Sequence, residues 1–226
     1  MDPHAYPRRI LLAVTGLTPQ VVTETLYCLA VAQEPPWVPT EVHLVTTAEG
    51  AERARLTLLS EEPGWFHRLC ADYRLGPIRF DEERVHTIGA HGPVGDLRTV
   101  EDNERAADTI TEWVRRLTAD PESALHVSLA GGRKTMGFYA GYALSLFGRP
   151  QDRLSHVLVS APYESHPEFY YPPPASRVIY TPEGRPVDAA GAEVALAEIP
   201  FVRLRHGLPE PLLEGRTTFS TTVAAA

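Results

Sequence analysis

The chain has 226 residues, of which 43% are hydrophobic and 22% are charged, and its formal net charge is −8 at pH 7. This length is ample for one Rossmann-sized domain with an appendage, and the composition excludes a disordered chain. The acidic balance argues against binding of long nucleic acid, which needs a basic face to displace counterions, but it is compatible with a short anion in one local basic pocket.

The cysteine content bears on the redox compartment and on zinc binding, and the lack of long apolar segments bears on membrane insertion. Cys28 and Cys70 lie among apolar residues, which indicates packing thiols in a reducing compartment. No CxxC motif or Cys/His cluster indicates zinc, and we expect neither a metal nor another cofactor. No signal peptide and no uncharged run of membrane-spanning length are evident, so we expect a cytoplasmic protein that does not contact a membrane.

The first part of the chain alternates predicted strands with predicted helices. Residues 9–14 (RILLAV) are continuously apolar after Arg9, which is typical of a strand that is buried on both faces. The loop 15–20 follows, and in it Thr18 can cap a helix that extends to about residue 32. Residues 41–46 (EVHLVT) predict a second strand, and Thr47 can cap the helix that comes next.

The middle of the chain continues this alternation. Pro63 opens another helical stretch, and residues 77–88 predict a third strand with charges at its centre, which suits a sheet edge. A glycine-rich loop, residues 89–95, leads to a helix over about 101–117. Residues 125–130 (LHVSLA) predict the fourth strand.

A helix over residues 133–147 and a fifth strand over residues 154–160 complete the alternation. Strands separated by helices predict an α/β fold with a Rossmann-like, mostly parallel sheet and helices on both faces.

The sequence changes character after Pro162. Residues 163–174 are rich in aromatic residues and proline, and residues 177–180 with 194–204 predict a small β-hairpin appendage. We therefore divide the chain into a ligand-binding domain, residues 1–162, and a C-terminal segment, residues 163–226.

Ligands of open parallel sheets bind beyond the carboxyl ends of the strands, and four loops leave such ends here. They are residues 15–20, Thr46-Thr47, residues 131–135 and residues 160–163. The first and third of these loops place small or hydroxyl residues and free backbone N–H groups at a helix N-terminus. That arrangement predicts an anion site.

Lys134 is the only lysine, whereas the chain has twenty arginines. This bias indicates a position where a compact ammonium is needed and a planar guanidinium does not replace it. Positive charge at a helix N-terminus opposes the helix dipole, which favours a functional reason for Arg133 and Lys134. The alternative is a tight turn at Gly131-Gly132 followed by a solvated helix start. The run is not a Walker motif, because the glycine required before the lysine is replaced by Arg133.

Thr15-Gly16 after the first strand and Gly131-Gly132-Arg133-Lys134 after a later strand resemble the CRISPR-associated Rossmann fold (CARF) proteins. The runs ILLAVTGLTPQVVTETLY, SLAGGRKTMGFYAGYALSLFGRPQDRLSHVLVS and FYYPPP are similar to the standalone ring-nuclease branch. The resemblance covers most of residues 8–174. It implies a homodimer that binds cyclic oligoadenylate, most often the tetramer, across its two-fold axis. It also implies metal-independent cleavage to linear products with a 2′,3′-cyclic phosphate.

The implied reaction assigns roles to residues of these loops. A ribose 2′-OH attacks its neighbouring phosphate when the backbone is held in line, so positioning supplies much of the rate. Lys134 is the candidate for stabilising the developing charge and the leaving oxygen, and Arg133 for holding a phosphate or facing the partner subunit. The expected ligand-binding residues are Thr15, Gly16, Leu17, Gln20, Thr46, Thr47, Gly131, Gly132, Thr135, Met136, Asp96, Arg98 and Asn103.

The last three of these residues have a second interpretation. Asp96, Arg98 and Asn103 lie before a helix or in its first turn, where capping and salt bridging are as reasonable as ligand contact. Thr99 or Asp102 could cap that helix instead.

Several aromatic and histidine residues also allow two interpretations. Residues 169–171 (FYY) could stack on adenines or pack the appendage. His126 and His156 lie inside strands and are expected to be core histidines. His91 and His166 lie in loops and are freer to act as a general acid or base.

Three functions remain open at this stage. The first is a ring nuclease, the second is a CARF sensor that binds the ring without cleaving it, and the third is an unrelated nucleotide-binding α/β protein. Larger CARF effectors carry a HEPN ribonuclease domain with an Arg-x4–6-His motif. Arg79 and His86 fit that spacing but lie in strand-like sequence, so we expect no such domain, which favours the nuclease.

Overall fold

The computed structural model describes residues 1–89, 92 and 94–225. Its strands are β1 (Arg8–Val14), β2 (Glu41–Thr46), β3 (Val85–Thr87), β4 (Ser123–Ser128), β5 (Arg153–Val159), β6 (Val178–Tyr180), β7 (Pro186–Asp188) and β8 (Val194–Glu198). Its α-helices are α1 (Gln20–Tyr27), α2 (Ala48–Ala54), α3 (Trp65–Asp72), α4 (Val100–Leu117), α5 (Lys134–Phe147), α6 (Glu210–Leu213) and α7 (Phe219–Ala225).

Six strands form one sheet in the order β3-β2-β1-β4-β5-β8. Every pair in it is parallel except β5 with β8. The apolar run of β1 lies at the centre, and its residues from Ile10 to Val14 are completely buried. The predicted Rossmann-like, mostly parallel sheet is confirmed.

Helices cover both faces of this sheet, as predicted. Side chains of a strand alternate between the two faces, and β1 divides its residues accordingly. Ile10 and Leu12 share a core with α4 and α5, whereas Leu11 and Ala13 share one with α1, α2 and α3. None of the helices in the described part of the chain has the length and hydrophobicity needed to cross a bilayer.

The third strand is shorter than predicted. Only Val85–Thr87 pairs with β2, and Arg79 adds one isolated parallel bridge to Glu41. The charged residues between them form a 3-10 turn, Glu82–Arg84, because three consecutive charges have no core to enter. The predicted position at the edge of the sheet is confirmed for the described strands.

The predicted hairpin between residues 177–180 and 194–204 is wrong. β6 pairs instead with β7, and this two-stranded sheet is the C-terminal appendage. β8 pairs antiparallel with β5 and extends the main sheet. The division at residue 162 stays a prediction, although residues on both sides of it share one sheet.

The two predicted caps at helix N-termini have different outcomes. Thr47 caps α2, since its Oγ1 accepts a hydrogen bond from the N–H of Gly50 at 3.2 Å, as predicted. The predicted cap by Thr18 is wrong: α1 begins at Gln20, directly after Pro19, and no side chain caps it.

Candidate functional site

Two glycine loops meet at the carboxyl ends of neighbouring strands. Gly16 follows β1 and Gly132 follows β4, and these strands are adjacent in the sheet. A Cβ on Gly16 would lie 2.9 Å from the Cα of Gly132, and a Cβ on Gly132 would lie 2.7 Å from the nitrogen of Gly16. Gly132 also has a φ of +89°, which a residue with a side chain rarely adopts. The two loops therefore form one continuous backbone surface.

Threonines at the carboxyl ends of β1 and β2 hold the first loop in place. The hydroxyl of Thr46 donates to the carbonyl of Gly16 at 2.9 Å. Thr15 is buried, and its backbone N–H donates to Val45 at 3.1 Å. We predicted ligand contacts for Thr15, Thr46 and Thr47, and all three are buried. Thr15 and Thr46 fix the backbone of the first loop, whereas Thr47 caps α2.

The second loop leads directly into α5. Arg133 is the N-cap residue and no side chain caps the helix, so backbone N–H groups of its first turn are free to bind an anion. Met136 is buried beneath the loop, whereas Lys134 and Thr135 are exposed. Within the described part of the chain, the ammonium of Lys134 has no hydrogen-bond or ion-pair partner.

Arg133 is paired with Asp96 from the loop before α4. Its Nε donates to Oδ1 at 3.2 Å and its Nη2 donates to Oδ2 at 2.5 Å. These bonds hold the pKa of the Asp96 carboxyl below its ordinary value. Lys134 is therefore the unpaired cation of this loop, and Arg133 is the paired one.

The other residues of the predicted Asp96 cluster separate into different roles. Thr99 and Asp102 form a capping box at α4, with the Thr99 Oγ1 3.0 Å from the Asp102 nitrogen. The amide of Asn103 donates to the Tyr139 hydroxyl at 2.7 Å and links α4 to α5. Arg98 is exposed. Thr99 and Asp102 thus cap α4, whereas Asp96 pairs with Arg133 beside the glycine loops.

Two adjoining cavities open over the glycine loops and share Gly132 and Arg133. One has a volume of about 260 Å³ and is lined by Gly16, Leu17, Thr18, Thr47, Asp96, Gly132, Arg133 and Met136. The other has a volume of about 730 Å³ and is lined by Leu97, Arg98, Thr99, Val100, Asn103, Gly132, Arg133, Lys134 and Thr135. Most of the predicted site residues are thus brought to one place.

Gln20 lies elsewhere, and it identifies a residue that sequence reasoning missed. It lines a third cavity, of about 220 Å³, together with Glu24 and Gly131. Burial raises the pKa of the Glu24 carboxyl to about 8. The signal available in the sequence was the only charged residue of α1, which lies among side chains that are otherwise uncharged.

The aromatic run 169–171 is part of the core. Phe169, Tyr170 and Tyr171 are buried. The ring of Tyr170 stacks on Trp65 at 4.9 Å, and the Tyr171 hydroxyl donates to Asp72 at 2.9 Å. Packing, rather than stacking on a ligand, is therefore the role this structure supports.

The histidine predictions are confirmed only in part. His126 is a core histidine, 2.7 Å from the Ser155 hydroxyl, and burial lowers its pKa to about 4. His156 is half-buried and lines the third cavity, so its prediction as a core residue is wrong. His166 is buried, and its Nε2 lies 2.9 Å from the carbonyl of Tyr180, so it ties the loop after β5 to β6. The prediction that His166 is free to act as an acid or base is therefore wrong. His91 lies outside the described residues.

The Arg79 and His86 pair does not form a nuclease motif. Arg79 pairs with Glu41 at 3.0 Å, and the ring of His86 stacks on Trp113 at 3.5 Å. Both side chains are thus engaged at the β2–β3 edge of the sheet, as their strand-like sequence predicted.

The fold and the glycine loops define a Rossmann-like α/β protein with a candidate anion-binding site at the carboxyl ends of its strands. Residues 18–226 match the family model described as CRISPR-associated protein NE0113 (Cas_NE0113). The chain belongs to this CRISPR-associated family. No curated protein matches it.

Solved structures show more distant likenesses. One is Enterococcus italicus Csm6 bound to cyclic hexa-2′-fluoro-hexa-dAMP, with 12% identity and a TM-score of 0.41, covering 69% of this chain and 34% of that one. Another is a UDP-N-acetylglucosamine 2-epimerase, with 16% identity and a TM-score of 0.34, covering 71% of this chain and 37% of that one. The chain spans about a third of the length of these proteins.

Proposed function

We propose that this protein is a ring nuclease of CRISPR signalling, which binds cyclic oligoadenylate at the glycine loops and cleaves it without a metal. The expected ring is cyclic tetra-adenylate, and the expected products are linear with a 2′,3′-cyclic phosphate. Membership of a CRISPR-associated family and the CARF-like motifs support this proposal.

One observation carries the proposal. An exposed, unpaired Lys134 stands at an uncapped helix N-terminus, beside a backbone surface that Gly16 and Gly132 keep free of side chains. Backbone N–H groups and an ammonium together favour a phosphate. The missing Cβ atoms of Gly16 and Gly132 let the two loops meet, so that both border the same site. The adjoining cavity of about 730 Å³ has room for nucleotide groups beyond the phosphate.

The proposed reaction is a transfer within the ligand. The ribose 2′-oxygen attacks the adjacent phosphorus and loses its proton, the bond from phosphorus to the 5′-oxygen breaks, and that oxygen takes up a proton. Negative charge grows on the phosphoryl oxygens during the attack, and Lys134 is placed to stabilise it. Arg133, held by Asp96, is placed to orient the neighbouring phosphate.

A second copy of the chain completes the proposed site, since a symmetric ring presents equivalent phosphates to two equivalent loops. α5 carries an exposed aromatic pair close to Lys134: Phe138 is 66% exposed, Tyr142 is 38% exposed, and their rings stack at 5.9 Å. Exposed apolar side chains grouped in this way are typical of an interface. We propose that this face of α5 contacts the partner subunit.

The test is incubation with cyclic tri-, tetra- and hexa-adenylate in EDTA, followed by chromatography of the products. Wild type is compared with Lys134→Ala and with Arg185→Ala, which removes an exposed cation from the β6–β7 turn. We expect wild type and Arg185→Ala to cleave a ring, and Lys134→Ala to lose at least about a hundredfold in rate. Binding without cleavage by wild type would support the sensor, and absence of both would refute the proposal.

A further inference from the structure

The third cavity lies against the Gly131 loop, between α1 and β5, and its volume is about 220 Å³. Its flanks are apolar, with Val21 from α1 and Val157 from β5. Its polar lining consists of Thr18, Gln20, Glu24, His156, Glu164 and Ser165. The cavity thus combines apolar walls with several polar groups that could fix the orientation of a ligand.

Glu24 is the unusual member of this lining. The residue is 7% exposed, and within the described residues its carboxyl has no hydrogen bond and no ion pair. No lysine or arginine among the described residues lines the cavity. The Gln20 Oε1 is also buried without a partner. Buried polar groups without partners are rare and call for an explanation, and a ligand in this cavity would supply the missing partners.

The surroundings of Glu24 favour its neutral form. Burial, and next the charge of Glu164 in the loop after β5, raise the pKa of the carboxyl to about 8. The other titratable groups near it are His156 on β5 and the thiol of Cys28, which directly follows α1. At neutral pH Glu24 therefore presents one O–H donor beside one C=O acceptor.

We propose that the cavity is a base-binding subsite in which the Glu24 carboxylic acid pairs with the edge of an adenine. Its O–H donates to a ring nitrogen, and its C=O accepts from the exocyclic amine. The identity of the ligand rests on the proposed function. The Gly131 backbone borders both this cavity and the phosphate-binding loop, so one nucleotide could occupy the two together.

This pairing would also select the base. Adenine presents an acceptor beside a donor, which a neutral carboxylic acid matches with two hydrogen bonds. The Watson–Crick edge of guanine presents O6 as an acceptor and N1–H and N2–H as donors. Glu24 would have to exchange the positions of its O–H and C=O groups to pair with O6 and N1–H, and the N2 amine would be left unpaired. A site that leaves buried polar groups unpaired with the wrong base discriminates strongly against that base.

The first experiment compares wild type, Glu24→Gln and Glu24→Leu by calorimetric titration with cyclic tetra-adenylate at pH 7. An amide keeps a donor and an acceptor, so we expect Glu24→Gln to bind within about threefold of wild type. Glu24→Leu keeps the size but loses both hydrogen bonds, and its Kd should rise by about ten- to a hundredfold. Equal affinity for Glu24→Leu would overturn the subsite. A thermal melt checks that Glu24→Leu is folded, which we expect because it removes a buried unpaired carboxyl.

The second experiment varies pH between about 6.5 and 9. The ionised carboxylate cannot donate, so wild-type affinity for the ring should fall by about tenfold as Glu24 loses its proton. Glu24→Gln does not titrate and should keep its affinity over the same range. A parallel decline in both proteins would overturn the assignment to Glu24.

The two proposals can fail separately. If wild type binds no cyclic oligoadenylate, the proposed function fails, and titration with AMP and GMP then decides the subsite. Preference for AMP that disappears in Glu24→Leu would support it, whereas equal binding or no binding of the two nucleotides would overturn it. If wild type binds the ring and Glu24→Leu binds it equally well, only the subsite fails.

Discussion

Arg133 and Asp96 form a two-pronged ion pair at the mouth of the glycine-loop site, with contacts of 3.2 Å and 2.5 Å. The carboxylate therefore competes with any phosphate for the same guanidinium. It also ties the loop before α4 to the start of α5, so it sets both the charge and the shape of the site.

Removing the charge of Asp96 should strengthen anion binding. We expect Asp96→Asn to bind cyclic tetra-adenylate about threefold or more tightly, because Arg133 is released and a nearby negative charge is lost. The measurement is calorimetric titration at low salt. Asp102→Asn serves as the control, since Asp102 caps α4 and should change stability rather than affinity. Weaker binding by Asp96→Asn would show that positioning of Arg133 outweighs its neutralisation.

The contact between the glycine loops should be intolerant of a methyl group. Gly132→Ala would place a Cβ 2.7 Å from the Gly16 nitrogen at a φ of +89°, and we expect it to lower the free energy of unfolding by about 2 kcal/mol or more. The matched control is Gly137→Ala inside α5, where the added Cβ would lie 3.8 Å from its nearest neighbour. That change should stabilise the protein by up to about 1 kcal/mol. Urea denaturation of both variants measures the difference, and equal effects would contradict the close contact.

Arginine should not replace Lys134 in the proposed reaction. Lys134→Arg keeps a positive charge at the helix N-terminus, so ring binding should remain within about threefold. The planar guanidinium presents its donors in another geometry, and cleavage should fall by at least about tenfold. Parallel titration and single-turnover cleavage separate the two effects. Full cleavage by Lys134→Arg would mean that charge alone is sufficient.

Acid should destabilise the protein through its buried histidines. Burial lowers the pKa of His126 to about 4 and that of His86 to about 3, both below the ordinary value of 6.5. The unfolded chain then binds protons that the native state excludes, so stability is lost as pH falls from 6.5 toward these values. For His126 the loss at pH 5 is about 2 kcal/mol.

The check is urea denaturation of wild type and His126→Gln at pH 7 and pH 5. The glutamine keeps a polar contact to Ser155 but does not titrate, so its stability should depend less on pH. Identical pH dependence in the two proteins would exclude His126 as a source of the effect.

The aromatic face of α5 should control the oligomeric state. We expect wild type to be a dimer and Phe138→Glu to be a monomer, because the change places a charge within an apolar interface. Tyr180→Glu changes an exposed aromatic residue of β6 and should stay dimeric. Light scattering after size-exclusion chromatography measures the masses, and a dimeric Phe138→Glu would place the interface elsewhere.

Much of the fold could be predicted because its signals are local. The run 10–14 is apolar without interruption, which is typical of a buried central strand, and Thr47 caps α2 through its own neighbours. The pairing of β8 with β5 could not be predicted, because strand partners are chosen over long range and a short apolar run suits a hairpin equally well.

The loops that form the candidate site could be predicted from the sequence, but which side chains line its cavities could not. Gly132 carries a recognisable turn signal, and Lys134 is conspicuous in an arginine-rich chain. Whether a side chain near such a loop is exposed depends on packing, so Thr46 could not be distinguished from Thr135 before the structure. Glu24 carries no motif, and its raised pKa arises from burial and from the charge of Glu164, neither of which can be read from the sequence around it.

The meeting of Gly16 and Gly132 has a consequence for folding as well as for binding. The two residues are far apart along the chain, so the anion site forms only when β1 and β4 have paired, and a partly folded chain lacks it. A ligand at this contact would bind the native state and not the unfolded one, and by mass action it would stabilise the central sheet. Thermal protection by the ligand would therefore report on the long-range pairing of the chain.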